Sequence, residues 1–395
     1  MKNILFTYIT PFQPERGGIG RVTDSLTHEL LRRGYRVFYL IYDCGITIQH
    51  NPNYDYPVPL TYLPSRELLS EENVTFYQYY LKEHAIDVVI NQSGNFDDSA
   101  LYLRTDNSAV KVISVLHSSP WVAYTNLWNL ILPLRNNTFI EKIKRIARVL
   151  LYPRIKRQFK IDRKNQFRML LPATDKVCML SSKFYDELSE ICHGYEHKYF
   201  AIPNPNSYTD EQVTDITLDI KKKQILFIGL FSVEKGIHRL VKIWGHLHRQ
   251  HPDWCLVIVG DGPKPIVERL HAMAAEMTNI EFVGFQSPLP YLKESSILCM
   301  TSNYEGFPMV LTEAMQCGAV PIAFQSFASV TDIITHEANG ILVPPFDMNR
   351  YARELSSLMT DTDKRTRLAS QAMHDVKRFS VSNVVDQWEA LFDSL

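Results

Sequence analysis

The sequence lacks the features that mark membrane-spanning, disulfide-rich and zinc-binding proteins. Nowhere do about 18 apolar residues follow one another, as a transmembrane helix requires. The apolar run at the N-terminus is too short for a signal peptide, and no small-residue cleavage site follows it. The six cysteines are scattered singly, without a Cys-x-x-Cys pair or a histidine at zinc-finger spacing. These absences favour a cytoplasmic protein with reduced thiols.

An excess of charge of either sign is also absent. Lysine and arginine total 42 against 43 aspartate and glutamate, a balance that argues against a nucleic-acid-binding protein. Hydrophobic residues make up 45% and charged residues 22% of the chain, which is the ordinary composition of a globular protein. Because 395 residues are too many for one comfortable core, we expect two domains.

Short apolar runs alternate with longer amphipathic stretches along the chain. Such alternation is typical of a parallel sheet covered by helices on both faces. In the first half, the predicted strands are Ile4–Thr7, Val37–Ile41, Val88–Ile90 and Val112–Leu116. In the second half, they are Gln224–Gly229, Cys255–Val259, Ile280–Val283, Ile297–Thr301, Val320–Ala323 and Gly340–Val343. The sequence therefore predicts an α/β protein with two doubly wound halves.

The boundary between the halves is predicted at 202–206, where two prolines alternate with asparagines. Proline continues neither a helix nor a central strand. The predicted N-terminal domain therefore spans 1–203, and the predicted C-terminal domain spans 204–379. The last residues, 380–395, have an apolar helical face and are expected to pack back across the N-terminal domain.

The most informative segment spans 302–321 and reads SNYEGFPMVLTEAMQCGAVP. It follows a predicted strand and has the pattern of a loop, a helix and another strand. Pro308 suits the first turn of the helix, and Gly318 suits the left-handed position after its end. Open α/β sheets bind ligands at the carboxyl ends of their strands, and the free N–H groups of Met309 and Val310 can hold an anion. We expect a diphosphate at this position.

Two carboxylates bracket the predicted anion site. Glu305 lies in the loop before the helix and Glu313 lies inside the helix, so they are separated by about the width of a nucleotide. One carboxylate can accept hydrogen bonds from a sugar and the other from a ribose. The string Glu-x7-Glu within Glu-Gly-Phe-Pro…Glu-Ala-Met…Gly…Pro resembles the signature of glycosyltransferase family 4, a group of retaining enzymes with the GT-B fold.

The resemblance implies two Rossmann-like domains that face each other across a cleft, the first binding the acceptor and the second the nucleotide-sugar donor. It also implies that Glu305 orients the donor sugar and that Glu313 binds the ribose. The other residues that it places around the donor in this segment are Gly306, Phe307, Pro308, Met309 and Val310. No metal ion or other cofactor is implied. The resemblance is dense in 226–343 and sparse in 120–178, where acceptor binding is expected.

Residues 227–236 resemble the strand and loop in which the family places an arginine and a lysine against the leaving diphosphate. Lys235 matches the lysine, but Leu230 occupies the arginine position. A guanidinium holds phosphate oxygens with two hydrogen bonds, which leucine cannot do. Either another cation such as Arg239 takes this role, or the donor is held more weakly.

Residues 283–286 follow another predicted strand of the second half. Gly284, Phe285 and Gln286 match the positions with which the family shapes the pocket of the nucleotide base, largely through backbone groups. Without the resemblance, these residues would indicate only a turn.

The first half contributes two candidate sites. Gly17 and Gly18 open a helix after the first strand, where glycine lets backbone N–H groups approach a phosphate closely. His117 ends a predicted strand, at the edge of a parallel sheet where ligands bind. The resemblance implies that the glycines face the donor phosphates and that His117 contacts the donor sugar. A plain turn and a structural histidine are the alternatives.

Asp361 and Asp363 have the Asp-x-Asp spacing of metal-dependent glycosyltransferases. They precede a polar helix near the C-terminus, however, where aspartates commonly cap helices. We therefore predict a helix cap and no metal site.

The segment 141–164 carries ten lysines and arginines against Glu141 and Asp162. Apolar residues interleave with the basic ones, a pattern typical of an amphipathic surface that meets anionic lipid. A solvated pair of helices in the first domain explains the pattern equally well. Pro153 is expected to break the segment into two helices.

These patterns together predict a retaining glycosyltransferase that transfers a hexose-type sugar from a nucleotide-diphosphate donor to a glycan or lipid-linked acceptor of surface-polysaccharide or glycolipid synthesis. Glu305, His117 and Lys235 are the predicted catalytic residues. We expect a cytoplasmic protein, or one that is peripheral on the inner face of the membrane. A GT-B phosphorylase or epimerase and a non-catalytic nucleotide-sugar-binding subunit are the alternatives. A nicotinamide dehydrogenase is not expected, because the fingerprint G-x-G-x-x-G is absent.

Overall fold

The computed structural model describes residues 2–9, 12–14, 17–42, 54–94, 96–105, 109–125, 127–128 and 139–395. The chain divides into two units. Unit 1 consists of Met1–Pro203 together with Val381–Leu395, and unit 2 consists of Asn204–Ser380. The chain therefore passes from unit 1 to unit 2 within the segment of alternating prolines and asparagines, and it returns to unit 1 for its last helix.

Among the described residues, unit 1 is built on a sheet of seven parallel strands in the order β3-β2-β1-β4-β5-β6-β7. They are β1 (Asn3–Tyr8), β2 (Arg36–Ile41), β3 (Leu60–Tyr62), β4 (Val88–Asn91), β5 (Lys111–Leu116), β6 (Lys176–Met179) and β7 (Tyr199–Ala201). β1 pairs with both β2 and β4, so the order of strands reverses beside β1. At such a reversal, the loops at the carboxyl ends diverge and leave room for a ligand.

Helices cover the sheet of unit 1. They are α1 (Gly18–Arg32), α2 (Glu71–Glu83), α3 (Phe96–Ser99), α4 (Val122–Thr125), α5 (Phe139–Leu170), α6 (Tyr185–Ile191) and, from the end of the chain, α15 (Val381–Asp393). On one face of the sheet, Tyr77 and Leu81 of α2 pack with Leu5, Leu40 and Val89 of the strands in one apolar cluster. Burial of these side chains away from water is the main force that holds the layer together.

The C-terminal helix α15 packs against α1 within unit 1. Its apolar face is buried and consists of Val384, Val385, Trp388, Leu391 and Phe392. Arg33, which ends α1, donates hydrogen bonds to Asp386 at 2.6 Å and to Glu389 at 2.5 Å. The Arg33 side chain is only 16% exposed, so these ion pairs are partly shielded from water and anchor α15.

Helix α5 contradicts one prediction, because Pro153 does not divide it. The helix runs without interruption from Phe139 to Leu170. Proline removes its own N–H from the backbone ladder and crowds the carbonyl four residues earlier, but the C-terminal end of the helix is held by the buried side chains of Phe167 and Leu170. Glu141 and Lys142 of the predicted basic segment lie outside the described side chains. No helix of the described residues is long and apolar enough to cross a bilayer.

Unit 2 is built on six parallel strands among the described residues, in the order β10-β9-β8-β11-β12-β13. They are β8 (Lys222–Ile228), β9 (Cys255–Val259), β10 (Ile280–Gly284), β11 (Ser295–Met300), β12 (Val320–Phe324) and β13 (Ile341–Val343). The order reverses beside β8, which pairs with both β9 and β11. The ten strands predicted from apolar runs are all present, with ends that differ by a residue or two.

The helices of unit 2 are α7 (Asp210–Val213), α8 (Ile237–Leu247), α9 (Lys264–Ala274), α10 (Pro288–Glu294), α11 (Met309–Gln316), α12 (Val330–Ile333), α13 (Met348–Thr360) and α14 (Thr362–Asp375). Helices α8, α9, α13 and α14 share an apolar core with the strands, in which Trp244 and Tyr351 are fully buried. Two rigid parallel sheets thus carry the loops that form the candidate sites.

Two local predictions in unit 2 can be compared with the structure. Gly318 follows α11 with a φ of +68°, the left-handed conformation expected after a helix. The Asp361 side chain accepts a hydrogen bond from the Lys364 N–H at 2.8 Å and caps α14, as predicted. Pro308, by contrast, precedes the first residue of α11 instead of lying in its first turn.

Candidate functional site

The candidate site of unit 2 lies at the carboxyl edge of its sheet. The loop 229–236 follows β8, and the loop 301–308 follows the neighbouring strand β11. Since the strands are parallel, both loops emerge at the same edge, where α/β sheets bind ligands. Helix α11 begins directly after the second loop.

Hydrogen bonds hold these two loops against each other. The Asn303 N–H donates to the Glu234 carbonyl at 2.6 Å, and the Asn303 side-chain amide donates to the Val233 carbonyl at 3.0 Å. Gly236 has a φ of +62°, and a Cβ at this residue would lie 2.2 Å from the Thr301 carbonyl oxygen. Only glycine therefore fits the closest approach of the loops.

The close contact of the loops brings Lys235 and Glu305 together. Lys235 Nζ lies 2.7 Å from Glu305 Oε1 and 2.9 Å from Oε2. The Ser302 hydroxyl donates to Glu305 Oε1 at 2.7 Å. The Glu305 side chain is 13% exposed and that of Lys235 is 33% exposed. Lys235 therefore compensates the charge of a mostly buried carboxylate in a partly open site.

The same loop also contains Tyr304, whose pKa is raised. Burial, and then the Glu234 and Glu305 carboxylates, raise the pKa of Tyr304 to about 12. The tyrosine hydroxyl is therefore neutral and available as a hydrogen-bond donor at physiological pH.

Helix α11 supplies the second cationic element. The first N–H groups of a helix have no partner within the helix, and its N-terminus carries a partial positive charge. In α11 these groups belong to Met309 and Val310, which follow Gly306, Phe307 and Pro308 of the loop. The Phe307 side chain is buried against Phe379, with ring centroids 5.3 Å apart, and this contact fixes the loop before the helix.

Glu313 has different surroundings from Glu305. It is 2% exposed, and its Oε1 accepts a hydrogen bond from the Ser207 hydroxyl at 2.6 Å. Ser207 belongs to the segment that opens unit 2. The structure thus brings Glu305 together with Lys235 and places Glu313 beside Ser207.

The predicted base-pocket residues lie at the same sheet edge. Gly284 ends β10 with a φ of +72°, and its carbonyl accepts a hydrogen bond from the Gly260 N–H after β9 at 2.8 Å. Phe285 is 64% exposed, and Gln286 follows it in the loop before α10. An exposed aromatic ring at the edge of a site is suited to contact with a planar base.

Leu230 occupies the position at which the family has an arginine. Leu230 is 61% exposed and presents no charge. Arg239, the cation named as a substitute, donates to the Thr301 carbonyl at 3.2 Å, and its guanidinium lies 4.5 Å from the centre of the Phe346 ring. Burial lowers the pKa of Arg239. Arg239 therefore supports the base of the loop that carries Glu305.

In unit 1, Gly17 and Gly18 lie between β1 and α1. Gly17 is extended and precedes the helix, and Gly18 is its first residue. Among the described residues, a Cβ on Gly17 would meet the Gln13 carbonyl oxygen at 3.8 Å, an ordinary contact. A Cβ on Gly20 would lie 2.9 Å from the same oxygen. The packing of the loop on α1 thus requires glycine at Gly20, which the sequence pattern did not single out.

His117 follows β5 and is held by a buried amide. Its Nε2 lies 2.6 Å from Gln92 Oε1, and Gln92 follows the neighbouring strand β4. Burial lowers the pKa of His117 from 6.5 to about 4, so the ring is neutral at physiological pH.

Four residues that hold the candidate side chains were missed in the sequence, namely Ser207, Ser302, Asn303 and Gln92. Ser302 and Asn303 stand directly after the apolar strand β11, and Gln92 stands directly after β4. Polar residues at the ends of parallel strands are a signal that could have found these three. Ser207 has no such signal, because its partner Glu313 is distant in sequence.

Two family models match the chain, one in each half. Residues 16–205 match the family model described as Glycosyltransferase Family 4, and residues 209–375 match the model described as Glycosyl transferases group 1. Two parallel-sheet units and these matches define a glycosyltransferase with the GT-B fold. Within that class, the chain belongs to the glycosyltransferase family 4 type, which confirms the family expected from residues 302–321.

Individual relatives are distant. The amylovoran biosynthesis glycosyltransferase AmsD of Erwinia amylovora is 27% identical over 176 residues, which are 44% of this chain and 49% of that protein. An alpha-1,4-N-acetyl-D-galactosaminyltransferase of Campylobacter jejuni, whose name specifies a PP-undecaprenol-linked glycan, is 27% identical over 188 residues, 47% of this chain and 52% of that protein. The chain thus spans about half the length of these curated relatives.

A solved structure shows the likeness over the whole chain. HepE of Anabaena, crystallised in complex with UDP, matches with a TM-score of 0.70 and 17% identity, and the match covers 100% of both chains. At this identity, the likeness shows the fold alone.

Proposed function

We propose that the protein is a retaining glycosyltransferase that moves a hexose-type sugar from a nucleotide-diphosphate donor to a glycan or lipid-linked acceptor. The observation that carries the proposal is the contact of Lys235 with Glu305 directly before the N-terminus of α11. This arrangement places a cation, a hydrogen-bond acceptor and the first N–H groups of a helix at one edge of the sheet of unit 2.

The diphosphate of the donor binds, in this proposal, at the N-terminus of α11 and at Lys235. An ammonium group has three N–H donors, so Lys235 can contact a phosphate oxygen while it keeps one bond to Glu305. Met309 and Val310 supply backbone N–H groups to the same anion. Fixed donors of this kind stabilise the charge that develops on a leaving group.

The sugar and the nucleoside occupy the flanks of the diphosphate. Glu305 accepts hydrogen bonds from sugar hydroxyls, and its contacts with Lys235 and Ser302 fix the carboxylate in place. The base lies at Gly284, Phe285 and Gln286. Glu313 binds the ribose by replacing its contact with Ser207.

Unit 1 contributes Gly17, Gly18 and His117 to the donor. Among the described residues, a Cβ on Gly17 would make only an ordinary contact with the Gln13 carbonyl oxygen at 3.8 Å, and glycine at this position lets backbone N–H groups approach a phosphate closely. The neutral His117 ring contacts the donor sugar. The anomeric C–O bond to the diphosphate breaks while the acceptor hydroxyl oxygen bonds to the same face of the sugar, and the hydroxyl proton passes to the departing diphosphate oxygen.

We further propose that the transfer needs no divalent metal. Lys235 and the N-terminus of α11 provide the positive charge that a metal provides elsewhere, and Asp361 is occupied as the cap of α14. Activity should therefore persist at full rate after exhaustive treatment with EDTA. A loss that Mg²⁺ or Mn²⁺ restores would contradict this part of the proposal.

The acceptor is proposed to be lipid-linked, at the cytoplasmic face of a membrane. The name of the Campylobacter relative gives such an acceptor, and α5 offers a matching surface. Ile143, Ile146 and Leu150 form a stripe along α5, and their exposures are 51%, 61% and 75%. At about 100° per residue, Lys144 and Arg148 stand on the other side of the helix. An amphipathic helix of this kind binds anionic lipid.

The C-terminal half of α5 has another role. Lys160 lies 5.5 Å from the centre of the Trp121 ring, Lys156 lies 4.9 Å from that of Tyr124, and Arg163 donates to the Pro120 carbonyl at 3.0 Å. These cations hold the segment after β5. The membrane contact is therefore assigned to the N-terminal half of the helix.

Sedimentation with vesicles that contain phosphatidylglycerol tests the membrane contact. Leu150→Glu should weaken binding about tenfold or more, because burial of one leucine side chain contributes about 1.5–3 kcal/mol. Ile220→Glu is the matched control, since Ile220 is 78% exposed and lies in unit 2. Equal binding of wild type and both variants would refute the contact.

A screen of nucleotide sugars tests the transferase itself. The protein is incubated with each donor, and both the thermal midpoint and the release of nucleoside diphosphate are measured. One donor should raise the midpoint, because a ligand stabilises the state that binds it, and should be turned over when membrane extract supplies the acceptor. Loss of turnover in Glu305→Ala, with the fold retained, would support the role of Glu305 in transfer. Full turnover in that variant would defeat it.

A non-catalytic nucleotide-sugar-binding subunit is the second candidate function. The exposed Leu230 in place of the family's arginine favours it, because a weakened phosphate site binds the donor without activating it. Such a protein would show the thermal shift with a donor but release no diphosphate with any acceptor.

A further inference from the structure

A chain of buried hydrogen bonds connects α1 with His117. The Thr23 hydroxyl donates to the Ile19 carbonyl within α1 at 3.1 Å. The Gln92 side-chain amide donates to Thr23 Oγ1 at 3.0 Å, and Gln92 Oε1 contacts His117 Nε2 at 2.6 Å. Thr23 and Gln92 are 0% and 5% exposed. The chain therefore starts in the helix that Gly18 opens and ends on the histidine.

The order of donors along this chain determines the proton on His117. A carbonyl oxygen can only accept, so the Thr23 hydroxyl donates to Ile19, and Thr23 Oγ1 accepts from the Gln92 amide. Gln92 Oε1 then faces His117 as an acceptor, so the ring must donate from Nε2. A neutral imidazole with its proton on Nε2 has a lone pair on Nδ1.

The ring is neutral because of its surroundings. Burial lowers the pKa of His117 to about 4, and no charged group among the described residues contributes to this shift. Ionisable side chains on the neighbouring elements include Tyr8 at the end of β1, Arg21 and Asp24 on α1, and Glu187 on α6. A new negative charge at the Gln92 position would therefore act on a ring that is otherwise controlled by burial alone.

We propose that Gln92 is a positioning residue for His117, which keeps the ring proton on Nε2 and thereby presents the Nδ1 lone pair as the acceptor for a hydroxyl of the donor sugar. The role towards the sugar rests on the proposed transferase function. The placement of the proton rests only on contacts within unit 1.

The first experiment reads the ring directly in the full-length protein without substrate. Nitrogen-15 spectra of the imidazole groups, assigned with His117→Asn, distinguish a proton on Nε2 from one on Nδ1. Wild type should carry it on Nε2. In Gln92→Leu, which removes the acceptor, the His117 signals should move towards a mixture of both forms. A proton on Nδ1 in wild type, or the same spectrum in both proteins, would overturn the proposal.

The second experiment uses the donor-dependent release of nucleoside diphosphate. Gln92→Leu should lower kcat about 10- to 100-fold, the range found for residues that orient metal-ligating histidines, with little change in KM. Gln92→Glu keeps an acceptor for Nε2 but adds a negative charge, which favours the protonated ring. The acidic limb of the pH–rate profile of this variant should move to higher pH by about one to three units, with near-normal turnover at alkaline pH.

Gln78→Glu is the matched control for charge, because Gln78 lies on α2 and contacts the Arg104 carbonyl. It should leave the profile unchanged. An unshifted profile in Gln92→Glu, or an equal shift in Gln78→Glu, would overturn the proposal. If wild type turns over no donor, the transferase function fails, whereas the imidazole spectra still decide whether Gln92 holds the ring proton.

Discussion

Removal of the Lys235 ammonium should destabilise unit 2 by more than its exposed position suggests. In Lys235→Met, the Glu305 carboxylate stays 13% exposed and keeps only the Ser302 hydroxyl of the three contacts recorded at its oxygens. Exposed ion pairs contribute about 0–1 kcal/mol, whereas breaking a buried pair costs about 3–5 kcal/mol. The partly buried pair lies between these limits, so we expect a loss of about 2 kcal/mol.

Calorimetry of the full-length chain measures this loss. For a domain of about 150–250 residues, 1 kcal/mol shifts the midpoint by about 2–4 °C, so the transition of unit 2 should fall by about 4–8 °C. The double variant Lys235→Met/Glu305→Gln removes both charges and should recover most of the stability. It should nevertheless remain inactive, because the site then lacks both the cation and the carboxylate.

Lys222 provides the control. It forms an ion pair with Glu294 at the same 2.7 Å, but the two side chains are 60% and 49% exposed. Lys222→Met should therefore lower the midpoint hardly at all. Two results would refute the dependence of the buried Glu305 carboxylate on Lys235. In one, Lys222→Met lowers the midpoint as much as Lys235→Met does. In the other, the double variant Lys235→Met/Glu305→Gln is less stable than Lys235→Met alone.

Three other substitutions test the scaffold around the sites. Gly236→Ala should cost about 1–3 kcal/mol and abolish donor-induced thermal shifts, because its Cβ would lie 2.2 Å from the Thr301 carbonyl and the backbone is left-handed; an unchanged midpoint would refute the close packing of the loops. Arg33→Ala should cost about 1–3 kcal/mol and expose the C-terminal helix to proteolysis, and equal digestion rates would contradict its anchoring role. Burial lowers the pKa of His117 from 6.5 to about 4, so protonation of this ring favours the unfolded state. Part of the stability should therefore be lost as the pH falls from 6.5 towards 4, and urea titrations of His117→Asn should show a weaker dependence in that window.

The alternation of apolar runs predicted all six described strands of unit 2 but only four of the seven of unit 1, where β3, β6 and β7 were missed. It succeeded where strands are buried on both faces and are therefore apolar throughout. Short edge strands carry a weaker signal. In β3, none of the residues of Leu60–Tyr62 is fully buried, and the pattern did not reveal it. The predicted break at Pro153 was wrong for another reason. A helix loses one hydrogen bond at proline, and packing elsewhere along a helix of 32 residues can outweigh that loss.

The candidate site was predictable where its residues are close in sequence. Glu305, Pro308 and Gly318 fall within one short segment, so helix-end preferences and resemblance identify them together. The partner of each side chain was not predictable in the same way. Glu313 contacts Ser207, and His117 contacts Gln92, and both pairs depend on how distant strands and loops meet in the folded sheet.

The central claim is that Glu305, held by Lys235 before α11, acts on the bound donor and not merely on the fold. The most direct test is the rate of nucleoside-diphosphate release at saturating donor in Glu305→Gln against wild type, in protein that shows the same donor-induced thermal shift. We predict a rate at least about 100-fold lower, as expected when one preorganised polar contact to the transition state is lost. A rate within about twofold of wild type would contradict the claim.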